Sequence, residues 1–251
     1  MQTHFFSAGA LTAACALAAA ACGGAAASSS PTTPSSTKTS TGSAVNTTAI
    51  YPMFGAAATV TLDGSTAVIR TTDVPDHVTP YWGASNALYE PPHAGMIPNG
   101  FTLVPQNLVL RISLAPQSTT ASDTPLGPIG VAINGVVFYN QYAAGRQPLG
   151  MEILSFDRFN GHPTPSAQYH YHFEPLYITS SSRSRLIGVL LDGFPVYGPQ
   201  DADGRIPSDL DSCHGHVAVT AEFPSGIYHY HTADTVPYIA GCYRGTPGTI
   251  G

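Results

Sequence analysis

Two segments of this chain carry the same residues in the same order, and this duplication constrains the fold more than any other feature. Residues 129–172 and residues 187–231 each begin with Ile-Gly-Val. Each continues through a turn glycine, a tyrosine, an aspartate and a Gly-His pair, and ends in Tyr-His-Tyr-His. A shared order of this length indicates an internal repeat, so both segments are predicted to fold as the same unit.

Histidine is concentrated in the repeat. Six of the ten histidines occupy equivalent positions in the two copies: His162, His170, His172, His216, His229 and His231. Side chains alternate between the two faces of a β-strand, so the two histidines of each Tyr-His-Tyr-His motif share one face and the two tyrosines share the other. Neighbours on one face lie about 6–7 Å apart, which lets two imidazoles converge on one ion. The Gly-His pair supplies a third imidazole to each copy; a single ion shared by both copies is the alternative.

The residue types favour a transition metal. Three or four neutral imidazoles suit zinc or copper, and the sequence offers neither a thiolate-rich nor an all-carboxylate ligand set. Asp157 and Asp211 precede the Gly-His histidines and are predicted to accept the free ring N–H of a ligating histidine, with direct ligation and a turn cap as alternatives. Asp201 and Asp203 are similar to a fragment of a calcium loop that lacks the bidentate glutamate, or form an acidic turn.

Short strands joined by glycine turns dominate the predicted secondary structure. Three Asp-Gly or Asn-Gly pairs lie between β-prone runs and predict hairpins, at residues 63–64, 134–135 and 192–193. Pro195 has no backbone N–H, which predicts that its strand lies at a sheet edge. The sequence therefore predicts a mainly β domain of duplicated β-hairpin units with long loops, for which a sandwich is one arrangement.

The first residues predict export. Residues 1–21 hold an apolar stretch of small side chains that ends in Ala-Ala-Ala-Cys, which is typical of a signal peptide followed by lipidation at Cys22. Cys15 is a second candidate, and an ordinary cleaved signal is the alternative. Residues 22–48, rich in Ala, Ser, Thr and Pro, are predicted to be a flexible tether because they cannot bury enough apolar surface to offset their ordering entropy. Residues 49–251 then form one domain.

Cysteine and charge add two expectations. With the signal removed and Cys22 acylated, Cys213 and Cys242 remain, and in an oxidising compartment they are expected to form a disulfide; thiolate metal ligation is the alternative. Charged residues make up only 10% of the chain and the formal net charge is −6, so no nucleic-acid partner is predicted. The predicted partner is a membrane, reached through the lipid at Cys22.

The paired Tyr-His-Tyr-His motifs, the Ile-Gly-Val hairpin and the frame from Cys213 to Cys242 together resemble the YHYH-domain family of exported bacterial proteins. The resemblance covers approximately residues 129–245. It implies export and a histidine-rich core, and it implies no particular reaction. Phe159 stands where the second copy has Cys213, so the two copies differ chemically, and the difference allows for only one of them binding metal well.

The residues support three functional hypotheses. The first is an exported, lipid-anchored protein of the cell envelope or periplasm that binds copper or zinc through the duplicated motifs. The second is a metal-dependent hydrolase of the envelope, for which Glu152 and Glu174 supply further carboxylates near the histidines. The chain has neither a nucleophile elbow nor a His-Glu-x-x-His helix, so catalysis is left open. The third is a structural or interaction domain with a Tyr–His hydrogen-bond core.

Overall fold

The structure, a computed structural model, describes residues 45–251, and these residues form a mainly β protein as predicted. Its strands, in chain order, are β1 (Ala58–Asp63), β2 (Thr66–Thr71), β3 (Leu108–Ser113), β4 (Ser122–Asp123), β5 (Pro128–Ala132), β6 (Val137–Tyr139), β7 (Tyr142–Ala143), β8 (Gln147–Pro148), β9 (Gly161–Pro163), β10 (Tyr169–Tyr171), β11 (Leu186–Leu190), β12 (Pro195–Tyr197), β13 (Gly215–Ala218), β14 (Ile227–His231), β15 (Cys242–Tyr243) and β16 (Thr249–Ile250). The helical segments of this range are α1 (Leu176–Thr179) and the 3-10 turns Thr48–Met53, Pro80–Trp82, Ala144–Arg146 and Gly150–Ser155.

Two sheets contain most of these strands. The smaller has the order β1-β2-β3-β16, and the larger has the order β13-β14-β12-β11-β5-β6-β10-β9. One hydrophobic cluster includes fully buried side chains from both sheets, among them Ile69 and Leu110 from the smaller and Val131 and Tyr230 from the larger. This shared core fixes the duplicated sheet against the N-terminal hairpin formed by β1 and β2.

The larger sheet has the same strand order when it is read outward from its centre in either direction. The first copy contributes β5, β6, β10 and β9, and the second contributes β11, β12, β14 and β13. The copies meet in the antiparallel pair β5–β11, where Val131 lies opposite Val189, its own equivalent in the repeat. The duplication is therefore built as a pseudo-two-fold arrangement, and each copy opens with the predicted hairpin.

Gly130 and Gly188 permit the close approach of the two copies at this axis. A Cβ on Gly188 would overlap the Val131 carbonyl oxygen and lie 2.7 Å from Cα of Ala132. We expect Gly188→Ala to lower the free energy of unfolding by about 3 kcal/mol, because paired backbone cannot move aside as a flexible side chain can. Chemical denaturation measures this, with Gly55→Ala as the control, since its nearest atom would lie 3.7 Å from the new Cβ. Equal losses in both variants would contradict the close packing.

The prediction that Pro195 marks an edge strand is wrong. β12 lies inside the larger sheet, between β11 and β14. Val137 holds the equivalent position in the first copy, and its N–H donates to Oδ1 of Asp73 at 2.8 Å, a side chain outside the repeat. The backbone N–H at this position of the repeat therefore does not bond to a neighbouring strand. Proline, which lacks this N–H, costs the second copy no bond between strands and is tolerated in an internal strand.

Thr47, which precedes the predicted start of the domain at residue 49, also contacts the domain. Thr47 is buried, and its N–H donates to the Leu114 carbonyl oxygen at 2.8 Å. The predicted signal peptide, the lipidation site Cys22 and the tether up to residue 44 lie outside the described residues. Within residues 45–251, no helix has the length and apolar character needed to cross a membrane.

The predicted disulfide between Cys213 and Cys242 is confirmed. Their Cα atoms lie 4.7 Å apart, within the range that a disulfide requires. The bond joins the turn before β13 to strand β15, and it occupies both sulfur atoms, so the alternative of thiolate metal ligation by this pair is excluded.

Candidate metal centres

Strand register brings together the three repeat histidines of each copy. In the first copy, β9 and β10 are antiparallel neighbours and His162 lies opposite His170. In the second copy, β13 and β14 pair in the same way and His216 lies opposite His229. The last histidine of each Tyr-His-Tyr-His motif follows two residues later, on the same face of its strand. Each copy thus presents three imidazoles on one surface.

Asp157 shapes the turn before β9 and does not bond to an imidazole. Its Oδ1 accepts from the N–H groups of Phe159 and Gly161 at 2.9 and 3.2 Å, and its Oδ2 accepts from the Tyr169 hydroxyl at 2.6 Å. Asp211 makes the same set of bonds in the second copy. The prediction that these aspartates orient ligating histidines is therefore wrong, because the strand alternation directs tyrosine towards them. The turn cap, the alternative, is what the structure contains.

The second tyrosine of each motif also points away from the histidines. Tyr171 accepts from the Asn134 side-chain amide at 3.1 Å, and its hydroxyl lies 2.9 Å from Nε2 of His77. Tyr230 donates to Oδ2 of Asp192, the equivalent of Asn134, at 2.6 Å. The protein therefore contains a hydrogen-bond network rich in tyrosine and histidine, but the repeat histidines lie on the other side of the strands.

Cluster 1 consists of His162, His170 and His172, all of them buried. Nε2 of His170 lies 3.0 Å from Nε2 of His162 and 3.0 Å from Nε2 of His172. Oε1 of Glu152 lies 3.4 Å from Nε2 of His162. Metal–nitrogen bonds of about 2.0–2.1 Å place the nitrogens of one site at this kind of separation, so the three imidazoles fit a single ion.

Cluster 2 consists of Asp201, His216, His229 and His231. The Nε2 atoms of His229 and His231 lie 2.9 Å apart. Oδ1 of Asp201 lies 3.2, 3.3 and 3.9 Å from Nε2 of His216, His231 and His229 respectively. Four ligand atoms, all within 4.8 Å of one another, match the four-coordinate shell that zinc adopts in structural sites.

Backbone carbonyl groups fix the tautomer of four of the six histidines. The Nδ1–H groups of these four donate to the carbonyl oxygens of Gln168 (from His170, 3.2 Å), Asn140 (from His172, 2.6 Å), Ile227 (from His229, 3.0 Å) and Gly198 (from His231, 2.6 Å). A carbonyl oxygen can only accept, so the proton of each neutral ring lies on Nδ1 and its Nε2 carries a free lone pair.

The two Gly-His histidines have side-chain partners at Nδ1. His216 donates to Oδ1 of Asp209 at 2.9 Å. His162 lies 2.7 Å from the hydroxyl of Ser155, which itself donates to the Glu152 carbonyl oxygen at 2.7 Å and therefore accepts from the histidine. Ser155 and Asp209 hold the same position in the repeat. Neither residue was predicted from the sequence to contact a histidine, although an alignment of the two copies just before the shared aspartate brings them together.

The Nε2 lone pairs face one another without a hydrogen between them at the His170 contacts of cluster 1 and between His229 and His231 in cluster 2. Two acceptors at about 3 Å repel unless a cation lies between them. A proton does not fill this role at neutral pH, because burial lowers the pKa of His162 and of His229 to about 3 and that of His172 to about 4. Buried neutral imidazoles with converging lone pairs are chemically suited to a transition-metal ion.

Each cluster is complete within one copy of the repeat. β9 and β13, which carry the Gly-His histidines, are the opposite edges of the larger sheet, so the alternative of one shared ion is wrong. The predicted calcium ligands do not form an oxygen shell. Asp201 faces imidazole nitrogens, whereas the exposed Asp203 accepts from the N–H of Arg205 at 2.9 Å. Calcium takes oxygen ligands, so cluster 2 does not suit it.

Cluster 1 lines a cleft of about 720 Å³, together with Glu152. Most of the remaining surface of the cleft is apolar, and it includes exposed side chains of Ile97, Phe101, Leu126 and Met151. A concave apolar surface with a few convergent polar groups is typical of a small-molecule binding site.

The fold and the paired clusters define a class of protein: a duplicated β domain with one histidine centre in each copy. The family model described as YHYH protein matches residues 109–207 and 204–245. The chain therefore belongs to the YHYH protein family, as the sequence resemblance predicted. No curated protein and no solved structure matches the chain.

Proposed function

We propose that this protein is an exported, lipid-anchored metal-binding protein of the cell envelope, in which each copy of the repeat holds one zinc or copper ion. The observation that carries the proposal is the convergence of imidazole Nε2 atoms, at 2.9–3.0 Å, in each of two clusters whose Tyr-His-Tyr-His histidines are buried. Both metals take imidazole nitrogen as a ligand. The hydrogen bonds at Nδ1 hold the rings in the ligating tautomer, as the outer-shell partners of metal-bound histidines do.

The metal content of the full-length chain tests this proposal. After expression with zinc or copper supplied, elemental analysis should find two ions per chain, one for each cluster. Dialysis against a chelator should remove them, and readdition should restore the same stoichiometry. A chain that retains neither metal and takes up neither in vitro would contradict the proposal. The structural domain with a tyrosine- and histidine-rich core would then be the better account.

Export and anchoring are supported by residues 1–22 of the sequence. We expect Cys22→Ser to shift the protein from the membrane fraction to the soluble fraction, because the thiol that carries the lipid is lost. Cys15→Ser is the matched control and should stay in the membrane fraction. If the protein stays in the membrane fraction after Cys22→Ser and leaves it after Cys15→Ser, the anchor is at Cys15.

A metal-dependent hydrolase is the second candidate, and the position of Glu152 favours it. This carboxylate lies 3.4 Å from a cluster 1 nitrogen and lines the cleft, where it can accept a proton from an attacking water. The zinc-loaded chain should then hydrolyse aliphatic esters, and Glu152→Gln should abolish turnover without lowering the zinc content. Hydrolysis that Glu152→Gln leaves unchanged would contradict this candidate.

A further inference from the structure

The two clusters differ in the number of protein ligands that they offer. Cluster 2 combines three imidazoles with Oδ1 of Asp201, and all four ligand atoms lie within 4.8 Å of one another. In cluster 1 the described part of the chain brings just three such ligand atoms together, those of His162, His170 and His172. Closed sites with four protein ligands are typical of structural zinc, whereas three protein ligands leave a position for an external molecule.

The clusters also differ in charge. Cluster 2 has two carboxylates in contact with its imidazoles, since Asp201 approaches the Nε2 atoms and Asp209 accepts from His216. In cluster 1 the position of Asp209 is occupied by the neutral Ser155, and among residues 45–251 Glu152 is the one carboxylate that approaches an imidazole. Two carboxylates balance a divalent ion, so an ion in cluster 2 is neutralised by the protein and an ion in cluster 1 keeps one positive charge.

The surroundings of cluster 1 are apolar and open. Met151 and Ile97 are 76% and 61% exposed, and both line the cleft next to the imidazoles. Exposed apolar side chains grouped around a cavity mark a site for an apolar ligand. The open ligand position and the uncompensated charge therefore lie beside a surface that favours an aliphatic group.

From these two differences and the apolar cleft we infer that the metal in cluster 1 binds an anionic amphiphile, an aliphatic carboxylate. The carboxylate takes the open ligand position and the chain lies along the cleft. Cluster 2 is a closed structural site. This inference rests on the proposed metal binding, and it adds the chemical class of the ligand and assigns different roles to the two centres.

Cobalt(II) loaded into the full-length chain gives a visible absorption spectrum that reports ligand exchange at each centre. Acetate, butanoate, hexanoate and octanoate are the probes, with octanol and octylammonium as uncharged and cationic controls of matched chain length. The spectrum should respond to the carboxylates alone. Affinity should rise about fourfold for each methylene that the cleft covers, which makes octanoate at least about 100-fold tighter than acetate.

Variants assign the response to one centre and to the cleft. His170→Ala should abolish the spectral response, and His229→Ala should preserve it. Leu126→Ser combined with Met151→Ser should weaken octanoate binding about tenfold and leave acetate binding unchanged, because only the chain loses apolar contacts. Val236→Ser, at an exposed residue outside the cleft lining, is the matched control and should change neither affinity.

The outcomes separate the two proposals. A chain that takes up none of cobalt, zinc and copper would overturn the proposed function and this inference with it. Two bound cobalt ions whose spectra do not respond to octanoate would overturn the inference alone. An affinity that is independent of chain length, equal binding of octanol, or a response that disappears in His229→Ala would also overturn it.

Discussion

Replacing His229 by alanine should lower the metal content of the purified protein from two ions per chain to one. Nε2 of His229 lies 2.9 Å from that of His231 and 3.9 Å from Oδ1 of Asp201, so the substitution removes one of the four ligand atoms of cluster 2. Loss of an outer-shell partner already weakens metal binding about 10–100-fold. Loss of a ligand should therefore weaken it by more than about 100-fold.

His170→Ala is the equivalent change in the other copy, and it should remove the other ion. Its Nε2 lies 3.0 Å from both remaining imidazoles of cluster 1. The double variant should bind no metal. His93→Ala, at an exposed histidine outside both clusters, should keep two ions and serves as the control.

Elemental analysis gives the metal stoichiometry of each variant, and competition with a chromogenic chelator gives its metal affinity. A His229→Ala protein with two tightly bound ions would show that cluster 2 is wrongly assigned.

Removing the disulfide should lower the free energy of unfolding by about 3–4 kcal/mol. Cys213 and Cys242 are separated by 29 residues in sequence, and the loss follows from the entropy that their bond removes from the unfolded chain. Cys213→Ala combined with Cys242→Ala should show this loss in chemical denaturation. Reductant should destabilise the wild type by a similar amount and should not change the double variant. A wild type whose stability is unaffected by complete reduction would contradict the prediction.

The same reduction should affect the two metal centres unequally. Cys213 lies in the turn that Asp211 shapes immediately before β13, the strand that carries His216. Phe159 occupies the equivalent position in the first copy and packs its ring 4.5 Å from that of His77. Because aromatic packing replaces the disulfide there, reduction should weaken metal binding at cluster 2 and leave cluster 1 nearly unchanged.

Much of the candidate site could be predicted because its causes are local. Strand alternation places His170 and His172 on one face whatever the rest of the fold does. The repeat identified the Gly-His histidines as the third members, since the same pair precedes both Tyr-His-Tyr-His motifs. The Asn-Gly and Asp-Gly hairpins followed from turn chemistry in the same way.

The roles of the aspartates could not be predicted from spacing. Asp157 and its partner Tyr169 are brought together only when β9 and β10 pair, and the pairing directs tyrosine and not histidine towards the carboxylate. Asp201 looked like part of a calcium loop because its neighbours in sequence are acidic. In the folded protein, Oδ1 of Asp201 faces imidazoles that lie up to 30 residues away in sequence. The residues next to Asp201 in sequence do not predict this contact.

The sequence by itself determined the duplicated β unit, the turns that open it, the cysteine pair and the six histidines that a metal would use. Only the tertiary structure decided between one shared cluster and two separate ones, and showed that the two clusters differ in their carboxylates and in their access to a cleft. The antiparallel pairing of β5 with β11 sends the histidine strands to opposite edges of the sheet, which separates the two clusters. Long-range packing places the cleft beside cluster 1 and Asp201 beside cluster 2. Periodicity and turn chemistry act between neighbours in sequence. The full set of ligands at a site and the shape of a cavity depend instead on which distant loops meet.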